Sequence, residues 1–239
     1  VRDTPEDAGF SKIQTDDATS HLDPNLKITF SYVIKRAFSN PVVVTLMAAE
    51  FCTGFVRQGL MLWFTPFLKE VHGIAPGSSL HGVASLGVTL GGIVGGLICG
   101  FLSDRYFQSR RPPVAFIFYL GQILSLFLLG STRSPLLASL LIGFSCMWIF
   151  GVHGMLSGTA SMDFGGTKGT ATVTGLLDGV QYLASGVTGV GLGILLDRLG
   201  WTAWTLMIIP FSIIGAALML TLWNATPAKN REYMAKRGY

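Results

Sequence analysis

The chain has 239 residues, half of them hydrophobic, with only 13% charged residues, 30 glycines and a formal net charge of +4. A soluble domain of this length would carry about 25% charge, and apolar stretches of roughly 20 residues, each long enough to span a bilayer, recur along most of the chain. The composition excludes an ordinary soluble globular domain and predicts an all-α membrane protein.

Residues 1–40 read as a cytoplasmic linker. The stretch 1–27 holds six acids (Asp3, Glu6, Asp7, Asp16, Asp17, Asp23) together with Pro5, Gly9 and Pro24. Nothing there has the basic-then-apolar pattern of a signal peptide. Residue 1 is Val rather than Met, so the chain is expected to begin inside a longer product or after processing. The segment from Ile28 to Phe38 mixes apolar residues with Lys35 and Arg36, which suits an interfacial helix lying on the membrane surface or a solvated linker helix.

Six spans follow, roughly 42–67, 79–102, 113–131, 135–160, 170–196 and 202–223, forming a bundle over 41–224 before a basic tail over 225–239. With both ends cytoplasmic, the inner segments hold Arg2, Lys12, Lys27, Lys35, Arg36, Arg105, Arg110, Arg111, Lys168, Lys229, Arg231, Lys236 and Arg237, and the outer loops only Lys69, Arg133 and Arg198. This asymmetry follows the positive-inside rule. The excess positive charge is thereby assigned to topology, and nucleic acid is not an expected partner.

The first span contains Glu50 and Arg57. An arginine near the bilayer centre costs about 2.5–3.5 kcal/mol by insertion measurements, and such residues face a cavity, a partner or an anionic ligand. Its planar fork can hold a phosphate oxyanion bidentately and stays charged at any working pH. The bland reading is a snorkelling arginine or one paired with Glu50. Seven residues correspond to about 10–11 Å of helical rise, long for a direct bridge within one helix.

The second span carries Gly87, Gly91 and Gly95, and also Gly92, Gly96 and Gly100, each set at spacings of four. The fifth repeats the device with Gly175 and Gly179, then Ser185, Gly189 and Gly193. Small residues at this spacing let helix backbones approach closely in lipid, so both spans are expected to be tightly packed. Cys52, Cys99 and Cys146 lie in apolar spans and read as small packing residues. Gly165 to Thr170 lacks the order of a phosphate loop, and Gly189 to Gly193 lacks the spacing of a dinucleotide fingerprint. No catalytic constellation, metal cluster or cofactor motif is evident, so neither an enzyme nor a bound cofactor is expected.

Between the second and third spans run Ser103, Asp104, Arg105, and then Arg110 and Arg111. An acid, a base and a basic pair in one short inner loop make physical sense as a conformational latch: Asp104 caps or pairs near a helix end, and the arginines anchor to lipid phosphates and helix termini. The loop resembles the signature loop of the major facilitator superfamily, found after the second span of each six-helix half. Within that superfamily, the run Arg2 to Gly9, the run Phe55 to Trp63 with Pro66 and Leu68 to Glu70, the segment Lys168 to Ala171, and Asp197 to Trp201 resemble the organophosphate:phosphate antiporters, from their central loop through their seventh and eleventh spans.

The resemblance implies the C-terminal half of a twelve-span major facilitator fold, with the missing N-terminal six-helix half as partner. It implies a secondary antiporter, glycerol-3-phosphate- or hexose-phosphate-transporter-like, moving a small phosphorylated metabolite against inorganic phosphate. The expected location is integral and multi-pass, in a bacterial inner membrane. Arg57 falls on the seventh-span position that grips phosphate together with a first-span arginine. Tyr182 is similar to a tyrosine lining the central cavity. Phe150 stands where a tyrosine is common, and His153, one turn on, could replace that hydroxyl or carry a proton. Glu50 and Asp178 are acids within spans that could pair with Arg57 or couple transport to charge; an acid at 178 is not usual in these transporters. Two alternatives stay open: a transporter-derived sugar-phosphate sensor and a proton-coupled organic-anion transporter.

Overall fold

A computed structural model describes residues 9–11, 29–165, 169–226, 232 and 236. Most of the linker 1–27, Lys168 and most of the tail 225–239 lie outside the described residues. The described chain is helical: α1 Phe30–Ser39, α2 Pro41–Met61, α3 Phe64–His72, α4 Ser79–Tyr106, α5 Arg111–Ser131, α6 Pro135–His153, α7 Ser161–Gly165, α8 Thr170–Leu199 and α9 Trp204–Thr221. A π-helical turn, Gly154–Ala160, joins α6 to α7, and a single 3₁₀ turn, Trp201–Ala203, precedes α9. Five helices or helix runs are long and apolar enough to cross a membrane, six if α1 and α2 count as one bent span. The molecule is thus an all-α, multi-pass membrane protein.

Local chemistry sets the ends of these helices. The Asn40 side chain accepts from the Val42 N–H at 3.0 Å, and Pro41 opens α2 where its missing N–H costs nothing. Ser134 caps α6 in the same way ahead of Pro135. Gly73 and Gly200, at φ 66° and 71°, close α3 and α8 in a backbone region that favours glycine.

α1 meets α2 at 88°, with Val33 and Ala37 buried against the bundle and Phe38 exposed. The segment expected as the first span, 42–67, is broken. α2 stops at Met61, and α3 restarts at Phe64. Pro66 explains the break: it cannot donate to the carbonyl of Leu62 and its ring would strike that carbonyl in a continuous helix, so it occupies the first turn of a new one.

Glycine packing divides by row. Gly87, Gly91 and Gly95 of α4 press on Gly143 and Met147 of α6, where an added Cβ would strike backbone. A Cβ at Gly96 or Gly100 would meet nothing within 4 Å. Nor would one at Gly175 or Gly179 of α8, while one at Gly189 or Gly193 would reach Leu62 or Trp63 at 3.5–3.6 Å. The expectation of tight packing therefore holds for one face of α4 and not for the glycines that begin α8. That helix instead turns Tyr182, Leu183, Val187, Val190 and Ile194 outward and packs on α2 through its opposite face, which buries Leu177, Gln181, Ala184 and Thr188.

Two apolar clusters fill the bundle. One gathers Ala49, Phe118, Tyr119, Val152 and Leu177; the other gathers Phe55, Val56, Cys146, Ile149 and Ala184. At their junction lie polar residues that no apolar packing requires.

Candidate functional site

α2 and α8 build the polar junction together. Glu50, Gly54 and Arg57 fall at i, i+4 and i+7 on α2, one face of the helix. Asp178, Gln181 and Tyr182 occupy one turn of α8. Gly54 makes the meeting feasible: a Cβ there would overlap the backbone and side chain of Gln181. Glycine between two charged residues brings α8 into contact with α2 at the level of both charges.

Arg57 is half-buried, and its Nε is buried without a hydrogen-bond partner. The guanidinium carbon lies 5.6 Å from the centre of the Tyr182 ring, within cation–π range. Tyr182 itself is 64% exposed, so it can flank the guanidinium while leaving the outer side open. Among the described residues, no carboxylate within 4 Å pairs with Arg57. The helical spacing accounts for this on α2: two turns separate it from Glu50.

Glu50 is wholly buried, and neither carboxylate oxygen has a hydrogen-bond partner. Its nearest ionic neighbour is His153, whose Nδ1 lies 3.6 Å from Oε2. The same Nδ1 is 2.8 Å from Nε2 of Gln181. His153 is the last residue of α6 before the π-helical turn, a widening that often marks functional sites. Phe150, one turn earlier, lies over Gly92, where an added Cβ would come within 3.5 Å of its ring, so the two side chains serve different contacts. Asp178 is half-buried, with Oδ1 buried and unpartnered. Beside Glu50, Tyr119 donates to the Ala49 carbonyl at 3.1 Å and shares a 2.6 Å hydrogen bond with Thr53.

At the other end of the bundle, Arg111 organises the loop. Its Nη1 donates to Asp104 Oδ1 at 2.8 Å and to Ser103 Oγ at 3.0 Å, and its Nε donates to Asp163 Oδ2 of α7 at 3.1 Å. Ser109 Oγ also donates to Asp104 at 2.9 Å, from a backbone at φ 60°. Arg110 Nε turns inward to the Phe107 carbonyl at 3.2 Å, whereas Arg105 is exposed. Asp104 pairs with Arg111 near the end of α4. Arg111 reaches a neighbouring helix through a carboxylate, and the loop thereby ties α4, α5 and α7 together.

Several residues of these sites, Asp163 and Gln181 among them, are not among those the sequence singles out. Asp163 is an acid near the apolar end of the α6–α7 run, facing the basic loop between α4 and α5, which is a usable signal. Gln181 is a neutral amide among apolar residues and carries little signal by itself; its position one residue before Tyr182 was the available clue.

A sequence profile of the Major Facilitator Superfamily matches residues 2–189, and the chain belongs to that superfamily. It is 29% identical to the glycerol-3-phosphate transporter of Bacillus subtilis over 94% of this chain and 52% of the relative. It is 26% identical to a probable hexose phosphate transport protein of Chlamydia pneumoniae over 97% of this chain and 54% of the relative. It is also 28% identical to the membrane sensor protein UhpC of Escherichia coli over 80% of this chain and 43% of the relative. These relatives match the organophosphate:phosphate antiporter family. The chain spans about half the length of the curated relatives it matches.

Proposed function

We propose that this major facilitator chain supplies the C-terminal six-helix half of a secondary transporter that exchanges a small phosphate ester, such as glycerol-3-phosphate or a sugar phosphate, for inorganic phosphate. The observation that carries the reading is Arg57, a half-buried cation with an unpartnered Nε, flanked by an aromatic ring and matched to no carboxylate among the described residues. A guanidinium held this way is costly in a bilayer unless an anion completes it, and its fork suits phosphate oxygens. The names of the relatives point to the same chemistry.

In this account a six-helix N-terminal half faces Arg57 with a second cation, and the two halves rock about a midplane site to expose it to alternate sides of the membrane. Two facing cations repel in low dielectric; a phosphate between them removes the repulsion and favours the closed intermediate. The exposed face of α8, with Tyr182, Val187 and Val190, is the wall turned toward that half. Both ends of the chain lie in the cytoplasm, and a bacterial inner membrane is the assigned location. Arg111 and Asp163 act as a latch that holds the inner loop against α7 in one of the two arrangements.

The test is counterflow of labelled phosphate in vesicles holding the full-length protein, against a panel of phosphate esters. Exchange restricted to phosphate and its esters supports the reading; no exchange with any of them sinks it. A second reading, a sugar-phosphate sensor, is favoured by the likeness to a membrane sensor protein. Saturable ester binding with negligible counterflow would select it.

A further inference from the structure

Glu50 presents a charge problem that phosphate recognition does not need. A carboxylate stripped of water and of hydrogen bonds is strongly disfavoured, yet both oxygens of Glu50 are buried without a partner. The ionisable and charged groups around it are Arg57 on its own helix, His153 on α6, Asp178 on α8 and Tyr119 on α5; α9, which also packs on α2, carries none. Tyr119 already donates to a backbone carbonyl. His153 is the group within ion-pair distance.

The pair has two arrangements that leave it electrically neutral. In one, Glu50 is protonated and His153 is a neutral imidazole. In the other, Glu50 is a carboxylate beside an imidazolium. Each holds the same proton. Gln181 can meet either form, because its carboxamide presents an N–H₂ donor to an unprotonated Nδ1 or, turned over, a carbonyl acceptor to a protonated one. The third form, with the proton gone, leaves a net negative charge whose nearby compensation is Arg57, set two turns along the same face.

We infer that Glu50 and His153 form a proton-binding site within the membrane whose occupancy rises when a phosphate anion engages Arg57. The sign follows from charge. Arg57 unengaged stabilises the deprotonated pair; an anion on Arg57 cancels that attraction and itself favours protonation, so proton uptake accompanies phosphate. Release reverses both. One-for-one exchange of phosphate species of equal charge then moves no net protons, whereas net uptake of phosphate carries a proton with it. The inference rests on the phosphate-binding reading of Arg57.

The test is infrared difference spectroscopy on the purified full-length protein in lipid, scanned between about pH 5 and pH 8, with and without inorganic phosphate. A protonated carboxyl band should be present, vanish in Glu50→Gln, and grow at fixed pH when phosphate is added. In His153→Asn the band should strengthen, because the form with the proton on imidazole is lost. Should Glu50→Gln fail to fold, Glu50→Asp must shift the frequency of the band. No band dependent on residue 50, or a band indifferent to phosphate, overturns the inference. Labelled-phosphate counterflow in the same preparation separates the two failures. Counterflow with an indifferent band refutes the proton linkage alone, and absence of both refutes the transport reading with it.

Discussion

The Arg57 guanidinium carbon lies 5.6 Å from the centre of the Tyr182 ring, so one face of the cation is aromatic rather than ionic. A carboxylate there would neutralise Arg57 and compete with an incoming anion. The quadrupole of a ring holds the guanidinium in place and leaves its charge available.

Removing the ring therefore costs positioning and not charge. Tyr182→Ala is expected to weaken phosphate binding about two- to fivefold, the equivalent of roughly 0.5–1 kcal/mol for an exposed cation–π contact. Tyr182→Phe keeps the ring and should retain most of the affinity. Competition of unlabelled phosphate against labelled phosphate binding measures both.

The loop joining α4 and α5 depends on one guanidinium meeting three oxygens, on Asp104, Ser103 and Asp163. Arg111→Ala leaves Asp163 half-buried without its partner, and a loss of about 1.5–3 kcal/mol is expected from the charged hydrogen bonds. Arg111→Lys restores a charge but not the fork and should recover only part. Thermal melting of the detergent-solubilised full-length protein ranks the two variants.

Helix α4 meets α6 across glycine. Gly91→Ala drives a Cβ into the Gly143 carbonyl and Gly95→Ala into that of Met147, and each is expected to lower the melting temperature markedly. Gly82→Ala, in the first turn of the same helix with open space around it, should be neutral or stabilising by up to about 1 kcal/mol. Equal effects at all three positions would contradict close α4–α6 packing.

Tyr119 tests the scaffold beneath Glu50. Its hydroxyl bridges Ala49 and Thr53. Tyr119→Phe deletes those bonds and leaves the Thr53 hydroxyl its bond to Ala49, so a modest loss of about 1 kcal/mol is expected. Denaturant melts of the two proteins supply the comparison.

Much of this architecture is visible in the sequence because lipid imposes simple rules. Apolar length located the spans, basic residues marked the loops, and Arg57 stood out because charge in that setting is expensive. Spacing along a helix also sets Arg57 two turns from Glu50. What spacing on one helix cannot reveal is contact between helices. The Glu50–His153 approach depends on α2, α6 and α8 converging, and the role of Gly54 as the gap that admits Gln181 is visible only with α8 in place. The glycines of α8 illustrate the limit in the other direction. Their spacing looks like that of Gly87 and Gly91, but in this chain Gly175 and Gly179 face open space, and no periodicity distinguishes a packed stripe from an unpacked one.

Phosphate binding by Arg57 is put to the test by labelled-phosphate counterflow with Arg57→Lys in the reconstituted full-length protein. Lysine keeps the charge and loses the planar fork. Exchange should fall at least about 30-fold, matching the roughly 2 kcal/mol or more lost when one partner of a buried charge pair is truncated, with expression and melting temperature unchanged. Exchange at the wild-type rate in Arg57→Lys would contradict phosphate binding by Arg57.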